Sequence, residues 1–134
     1  MKSSKIIEML AKEGYRPELD ADGDIQFKYE GNTCLVMIDE DDEFYLRFIL
    51  PNFWPIESEK ERELVIHTAL NTTKLVKAAK ISLVKDQVWA SVEAFFPSEE
   101  SIQPVLDRML TVLVGAVATF VDEMRKHADD KIEA

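Results

Sequence analysis

The fold is decided by one stretch of alternating sequence, Ile25-Gln26-Phe27-Lys28-Tyr29-Glu30-Gly31-Asn32-Thr33-Cys34-Leu35-Val36-Met37-Ile38. Apolar residues at every second position up to Tyr29 are the pattern of a strand that is buried on one face only. Gly31 and Asn32 both tolerate the positive φ angle that a tight hairpin needs. The sequence therefore predicts antiparallel strands at 25–29 and 33–38, joined through Gly31-Asn32.

Further strands flank this hairpin. Residues 15–19 are predicted as a weak first strand, and turn residues 20–24 separate it from the hairpin. A second turn at 39–43 leads into a strand at 44–50. Residues 51–55 begin and end with proline, and proline cannot donate a hydrogen bond to a sheet ladder. We therefore expect this strand to end at residue 50 and a loop to follow it.

Two helices are predicted from the 3.6-residue apolar period. The first spans 3–14, and the second spans about 58–76. The second begins with Ser58 followed by Glu61, the spacing of a capping box, which satisfies backbone N–H groups in the first helical turn. The face of this helix that we expect to be buried consists of Leu64, Val65, Ala69, Leu70 and Thr73.

The rest of the chain, from residue 77 onward, adds two strands and a long helix. Apolar runs predict strands at 77–84 and 88–96. The last helix begins at Ser98 or Ser101, and its end is expected to fray over residues 128–134. The element order α-β-β-β-β-α-β-β-α predicts an α+β fold built on a twisted antiparallel sheet, because runs of strands alternate with separate helices.

The composition limits the class of protein. The chain has 134 residues, is 46% hydrophobic and carries a net charge of −10 at neutral pH. This size and apolar content predict one globular domain over residues 1–134. The negative charge argues against a nucleic-acid partner, since an acidic surface repels phosphates. A single cysteine excludes an internal disulfide.

No segment has the pattern of a targeting signal or a membrane span. The first apolar residues, Ile6 and Ile7, are interrupted at once by Glu8, whereas a secretory signal needs about 7–15 apolar residues. The longest uncharged apolar run, Met109 to Val121, is shorter than the roughly 20 residues that span a bilayer. We therefore expect a cytoplasmic protein without a membrane partner.

The last helix is more apolar than a helix lying on a sheet needs to be, since no residue between Arg108 and Asp122 is charged. One interpretation is that a second copy packs on it and forms a homodimer, because exposed apolar patches often mark interfaces. The alternative is cover by the first two helices of the same chain. The candidate dimer residues are Leu110, Val112, Val114, Gly115, Ala118 and Val121.

The second apolar surface is the side of the sheet that faces away from the helices. If Phe44, Leu46, Phe48 and Leu50 face the helices, Tyr45, Arg47 and Ile49 face away. In strand 33–38, either Cys34, Val36 and Ile38 or Leu35 and Met37 face the same way. Aromatic residues and methionine beside an arginine are typical anchors for a protein partner, and the alternative is core packing under the 51–55 loop. The candidate partner-binding residues are Met37, Tyr45, Ile49, Phe53, Trp54, Trp89 and Phe95.

Acidic residues concentrate in two predicted turns, which contain Asp20, Asp22 and Asp24, then Asp39, Glu40, Asp41, Asp42 and Glu43. A cation site or a docking point for a basic partner is one interpretation of such a run, and solvated turns are the usual one. The first turn fails the calcium-loop pattern. Its glycine is fourth rather than sixth, and Gly31 stands where a bidentate glutamate belongs.

The sequence lacks the usual signatures of an active site. His67 has no second metal-ligating residue one helical turn away, because positions i+3 and i+4 are Leu70 and Asn71. Cys34 lies in a strand and has the character of a small buried hydrophobe. Four glycines cannot build a phosphate-binding loop of a known pattern. We therefore expect no enzyme, no cofactor and no metal.

Six segments carry a family resemblance: Gly14-Tyr15, Asp20 to Gly31, Ile38 to Asp42, Leu50 to Trp54, Glu57 to Glu63 and Val88 to Glu93. Together they resemble the YbjN-like proteins, which are labelled bacterial sensory transduction regulators. The resemblance covers about residues 6–124 and implies a fold similar to that of type III secretion chaperones, commonly dimeric, in the bacterial cytoplasm. It implies a role in signalling and carries over no catalytic or ligand residue.

Two functional hypotheses follow from the sequence. The first is a non-enzymatic protein-binding module, chaperone-like or regulatory, that forms a homodimer. The second is a small-molecule-sensing regulatory domain with a pocket between the 51–56 loop and the sheet. A fold-level likeness alone does not decide between them.

Overall fold

The computed structural model describes residues 1–133 and their side chains as far as Ala128. A short 3-10 turn, Glu99–Ser101, precedes the last helix. The predicted α+β class and element order are confirmed. The helices are α1 (Ser3–Lys12), α2 (Glu59–Leu75) and α3 (Gln103–Glu133), and the strands are β1 (Glu18–Leu19), β2 (Ile25–Tyr29), β3 (Asn32–Ile38), β4 (Tyr45–Pro55), β5 (Ala79–Val84) and β6 (Gln87–Phe95).

All six strands pair antiparallel in one sheet, in the order β1-β2-β3-β4-β6-β5. The β2–β3 hairpin pairs Tyr29 with Asn32. Its two loop residues are therefore Glu30 and Gly31, both at positive φ, rather than the predicted Gly31-Asn32. Two positive φ angles give the loop the twist that flanking strands require.

Strand β4 does not end at residue 50. Its pairing with β6 shifts register between Leu50 and Trp54 and then resumes at Trp54 opposite Val88, so the predicted 51–55 loop is wrong. Asn52 takes a φ of 53° within this bulge. A bulge leaves a residue outside the ladder, which lets a strand tolerate the missing donor of Pro51.

One face of the sheet and all three helices form a single core. Helix α3 packs across β4, β5 and β6, and α2 packs on β5 and α3. The largest fully buried side chains include Phe27 and Phe48 from the sheet and Phe120 from α3. The helices that the structure describes therefore leave the opposite face of the sheet, here called the open face, uncovered.

The buried face of helix α2 differs from the predicted one. Its buried residues are Val65, Thr68, Ala69 and Thr72, whereas Leu70 is 71% exposed and was wrongly expected to be buried. The buried hydroxyls of Thr68 and Thr72 have no hydrogen-bond partner among the described residues. The neighbouring Thr73 hydroxyl accepts the N–H of Ile81, 3.0 Å away, and so covers part of edge strand β5.

These adjacent threonines provide a matched pair of substitutions. Thr72→Val is expected to raise the free energy of unfolding by about 1 kcal/mol, because it removes a buried hydroxyl that makes no hydrogen bond. Thr73→Val is expected to lower it by about 1–3 kcal/mol, since it leaves the Ile81 N–H without an acceptor. Urea unfolding measures both, and changes of the same sign in the two variants would contradict this assignment.

Candidate docking surface on the open face of the sheet

The strand registers place specific side chains together on the open face. Leu35 lies opposite Ile49, and Ile49 lies opposite Ser91 on the next strand. One row away, Arg47 lies between Met37 and Glu93. The two alternatives for β3 are thus decided, since Cys34 and Val36 are fully buried in the core and Leu35 and Met37 face outward.

The apolar part of the open face is separate from the main core. Ile49 is fully buried, yet it does not belong to the core that the helices cover. Leu35, Met37 and Trp89 are partly buried around it. Phe95 is 72% exposed, which leaves a large apolar side chain in water at the end of this group.

An aromatic pair and an asparagine hold this group in place. The rings of Tyr45 and Phe95 are in contact, with centroids 5.8 Å apart. The indole N–H of Trp89 donates to the Asn52 Oδ1 atom at 2.9 Å, so the bulge of β4 positions this tryptophan. Fixed aromatic side chains lose little conformational entropy when a partner binds, which favours recognition.

A polar network lies beside the aromatic pair. The Tyr45 hydroxyl donates to one Glu93 carboxylate oxygen, and the Lys80 Nζ atom lies 2.5 Å from the other. Burial and the hydrogen bond to Glu93 raise the pKa of Tyr45, so the phenol keeps its proton. The Arg47 Nε atom is buried and has no hydrogen-bond partner among the described residues.

The charge of the open face differs from that of the whole chain. The strand registers place Lys28, Arg47 and Lys80 on it, together with two carboxylates, Glu18 on edge strand β1 and Glu93, which is paired with Lys80. The chain as a whole carries a net charge of −10. The open face therefore carries a small excess of positive charge on an otherwise acidic chain, which favours a partner that brings carboxylates.

Glu93 also makes a testable contribution to stability. The hydrogen bonds from Lys80 and Tyr45 lower the pKa of Glu93. A carboxylate whose pKa is depressed by folding stabilises the fold above its unfolded pKa and loses that contribution as pH falls, here from about pH 4.3 downward. The stability difference between wild type and Glu93→Gln is therefore expected to be larger at neutral pH than at pH 3, as measured by urea unfolding. A difference that grows on acidification would contradict this pairing.

The structure separates the predicted partner-binding residues into two groups. Phe53 and Trp54 lie within β4 and contact Phe120 of α3, with ring centroids 5.4 and 5.7 Å apart. The expectation that they fold over the open face from a loop is therefore wrong. Conversely, Phe44 was expected to face the helices, but it precedes β4 and is 48% exposed. The open-face group is Met37, Tyr45, Ile49, Trp89 and Phe95.

The predicted dimer residues on α3 also differ in exposure. Leu110 is fully buried within its own chain, so it presents no surface to a second copy and leaves this set. Val112, Val114 and Val121 are partly buried against the core, and only Gly115 and Ala118 are exposed. By length and composition Gln103–Ala128 would suffice to cross a membrane, a test that the core helix of a globular domain also passes.

A groove of about 360 Å³ lies on the helix side of the sheet, at the end of β4. Trp54, Leu64 and Met124 form its apolar lining, and its charged residues are the cations Lys60 and Arg125 and the carboxylate Glu61. This volume is at the lower end of the 300–1,000 Å³ typical of ligand sites. The pocket expected between residues 51–56 and the sheet thus has a counterpart between that segment and helices α2 and α3.

The acidic turns use several of their carboxylates internally. Asp20 Oδ1 accepts the backbone N–H groups of Asp22 and Asp24, each at 2.9 Å, and Asp39 Oδ1 accepts that of Asp41 at 2.8 Å. Burial and the neighbouring Asp20 and Asp22 raise the pKa of Asp24. Such bonds are the usual chemistry of Asx turns, so we keep the interpretation as solvated turns.

Cys34 has the environment of a structural residue. It is fully buried in the core between β2 and β4. Burial raises the pKa of its thiol to about 11, so the nucleophilic thiolate is scarce at neutral pH.

No protein-family model matches the chain, and no curated protein matches it significantly. The function of the chain therefore has to be inferred from the chemistry of its own surface, above all that of the open face.

Proposed function

We propose that this chain is a non-enzymatic protein-binding module whose docking surface is the open face. The observation that carries the proposal is the exposed ring of Phe95, held against Tyr45 on the same face of the sheet as Arg47. Tyrosine and arginine are enriched among the residues that dominate interface energies. A helix-free face with such anchors supports binding of another protein rather than catalysis.

The partner that suits this face is an extended segment with alternating apolar and acidic side chains. Its apolar residues would cover Leu35, Met37 and Phe95. Its carboxylates would accept from Arg47 and pair with Lys28. Acidic groups on the partner match the local excess of positive charge, and such complementarity fixes the register and speeds association.

Two designed peptides test this proposal. One alternates valine and leucine with glutamate, and the matched peptide carries lysine at each glutamate position. Amide chemical shifts of the labelled protein should move on β3, β4 and β6 with the glutamate peptide only. Equal shifts with both peptides, or shifts confined to the helices, would reject the open face as an acidic-segment site.

The resemblance to YbjN-like proteins supports a narrower form of the proposal. On this basis the chain is a bacterial cytoplasmic regulator of sensory transduction that binds a protein partner in the manner of type III secretion chaperones. The element order supports the chaperone-like part of this proposal, and the anchors on the open face support the binding part. Its partner is a protein, with no cofactor required.

We also propose that the chain forms a homodimer through the exposed side of α3. Gly115 and Ala118 are small and exposed there, and a Cβ atom added at Gly115 meets nothing within 4 Å. A glycine in the middle of an exposed helix is unfavourable by about 1 kcal/mol relative to alanine. Close approach of a second helix would give this glycine a role.

Two substitutions at Gly115 distinguish an effect on dimer formation from an effect on the stability of the fold. Gly115→Ala is expected to raise the free energy of unfolding by about 1 kcal/mol, because helix propensity improves without a clash. Gly115→Phe is expected to leave a folded monomer, since its ring keeps a second helix away. Light scattering measures the mass, and a wild-type monomer at micromolar concentration would contradict the dimer.

The second candidate function is a small-molecule sensor, and the groove beside Trp54 is the observation that favours it. Its apolar lining with Lys60 and Arg125 suits a small amphipathic anion. A thermal melting screen of such anions separates this function from protein docking, because a ligand that binds only the native state raises the melting temperature. A screen without any shift would remove this candidate.

A further inference from the structure

The two histidines of this chain face each other across the helices. His67 lies on α2 and His127 on α3, far apart in the sequence. Their ring centroids are 6.1 Å apart, with an angle of 70° between the ring planes. His67 is exposed and His127 is partly buried, so both imidazoles are accessible from the same solvent-exposed seam between the helices.

A carboxylate lies in the same seam. Glu123 precedes His127 by one helical turn, and Asn71 follows His67 by one turn, so each helix contributes two side chains to this point. The Asn71 amide donates to Glu123 Oε2 at 3.4 Å, and Lys126 Nζ lies 3.3 Å from Oε1. The Glu123 side chain is only 18% exposed, which keeps its carboxylate at the seam.

We propose that His67 and His127, with Glu123 as the third ligand, bind a divalent transition-metal ion, with Zn²⁺ as the reference ion. Imidazole nitrogen suits zinc, copper and nickel, whereas calcium and magnesium prefer oxygen ligands. Zn–N bonds of about 2.0–2.1 Å at a tetrahedral angle place two imidazole centroids about 5 Å apart. A small rotation of the exposed His67 ring closes the remaining distance from 6.1 Å.

Binding of the ion requires this rotation. In the part of the chain that the structure describes, no three His, Cys, Asp or Glu side chains already surround a common point. Glu123 therefore has to exchange its weak contacts with Asn71 and Lys126 for the ion. Water completes the coordination shell, as it does in sites with few protein ligands. Because the ligands come from two helices, the bound ion links α2 to α3 and stabilises the folded chain.

Calorimetric titration of the untagged protein with ZnCl₂ tests this proposal. Wild type is expected to bind one Zn²⁺ per chain and to melt at a higher temperature with the ion present. The double variant His67→Gln/His127→Gln should lose both effects, and Glu123→Gln should weaken binding by at least about tenfold, since the loss of a ligand costs no less than the loss of a group that supports one. Both histidines are at least partly exposed, so the double variant is expected to fold, which circular dichroism verifies.

The acidic turns provide the control. Asp39→Asn/Asp41→Asn should leave zinc binding unchanged, since neither residue lies in the seam. Unchanged zinc affinity in the double histidine variant would overturn the proposal, because the ion would then be held elsewhere. Absence of binding to wild type at millimolar zinc would also overturn it.

Discussion

The substitution Phe120→Ala is expected to lower the free energy of unfolding by about 3–5 kcal/mol, the usual cost of truncating a buried phenylalanine. Phe120 is fully buried on α3 and meets Phe53 and Trp54 in edge-to-face contacts. Such aromatic pairs contribute beyond the area they bury. The Phe120 ring therefore packs the end of β4 against α3. Urea unfolding measures the free energy of unfolding that is lost when the ring is removed.

The matched control for this prediction is Phe95→Ala. It removes the same atoms from a ring that is 72% exposed, so the free energy of unfolding should change by no more than about 0.5 kcal/mol. A loss below 1 kcal/mol for Phe120→Ala, or similar losses for both variants, would contradict the division of the aromatic residues between core and surface.

The second large effect is expected on binding. The double variant Arg47→Ala/Phe95→Ala should weaken the affinity for the alternating glutamate peptide by about 30-fold or more, because truncation of an interface anchor costs at least about 2 kcal/mol. Phe95 supplies exposed apolar area, and Arg47 supplies a positive charge on the same face of the sheet. Calorimetric titration gives the two dissociation constants.

Leu70→Ala is the control for binding. Leu70 is 71% exposed, close to the exposure of Phe95, but it lies on α2 on the other side of the molecule from the open face. Its substitution should leave the affinity within twofold. Phe95→Ala alone should still weaken binding if Arg47→Ala perturbs the fold. An equal loss in Leu70→Ala would contradict a docking surface on the sheet.

Most of the fold could be predicted from local patterns. The alternation from Ile25 to Tyr29 determined which residues of β2 face the core, because a strand that is buried on one face has a period of two, whereas two alternatives stayed open for β3. On β4, the same alternation correctly separated Leu46 and Phe48, which are fully buried, from Tyr45 and Arg47 on the open face. These features depend on neighbours along the strand only.

The errors arose where contacts between residues far apart in the sequence determine the local structure. Pro51 and Pro55 argue locally for a loop, but a bulge absorbs the first and pairing with β6 carries β4 on to Pro55. Leu70 fits an apolar stripe, yet packing on β5 and α3 turns Thr68 and Thr72 inward instead. Helix propensity and periodicity carry no information about which face a neighbour will cover.

The candidate site was predicted in part for the same reason. Met37, Tyr45, Ile49, Trp89 and Phe95 follow from strand alternation, and the structure places them on one face. Phe53 and Trp54 were misplaced because the sequence predicted a loop at 51–55, whereas β4 continues through these residues and both rings contact Phe120 of α3. The contact between His67 and His127 had no signal in the sequence, since it depends on how α2 and α3 pack.

Site-specific photo-crosslinking in the source cells tests the docking function most directly. A photoreactive phenylalanine derivative placed at Phe95, and separately at Leu70, reports what touches each surface. We predict that one protein crosslinks at position 95 and not at position 70, and that the glutamate peptide competes with it. Crosslinks from position 70 alone, equal crosslinks from both, or none at position 95 would contradict a partner on the open face.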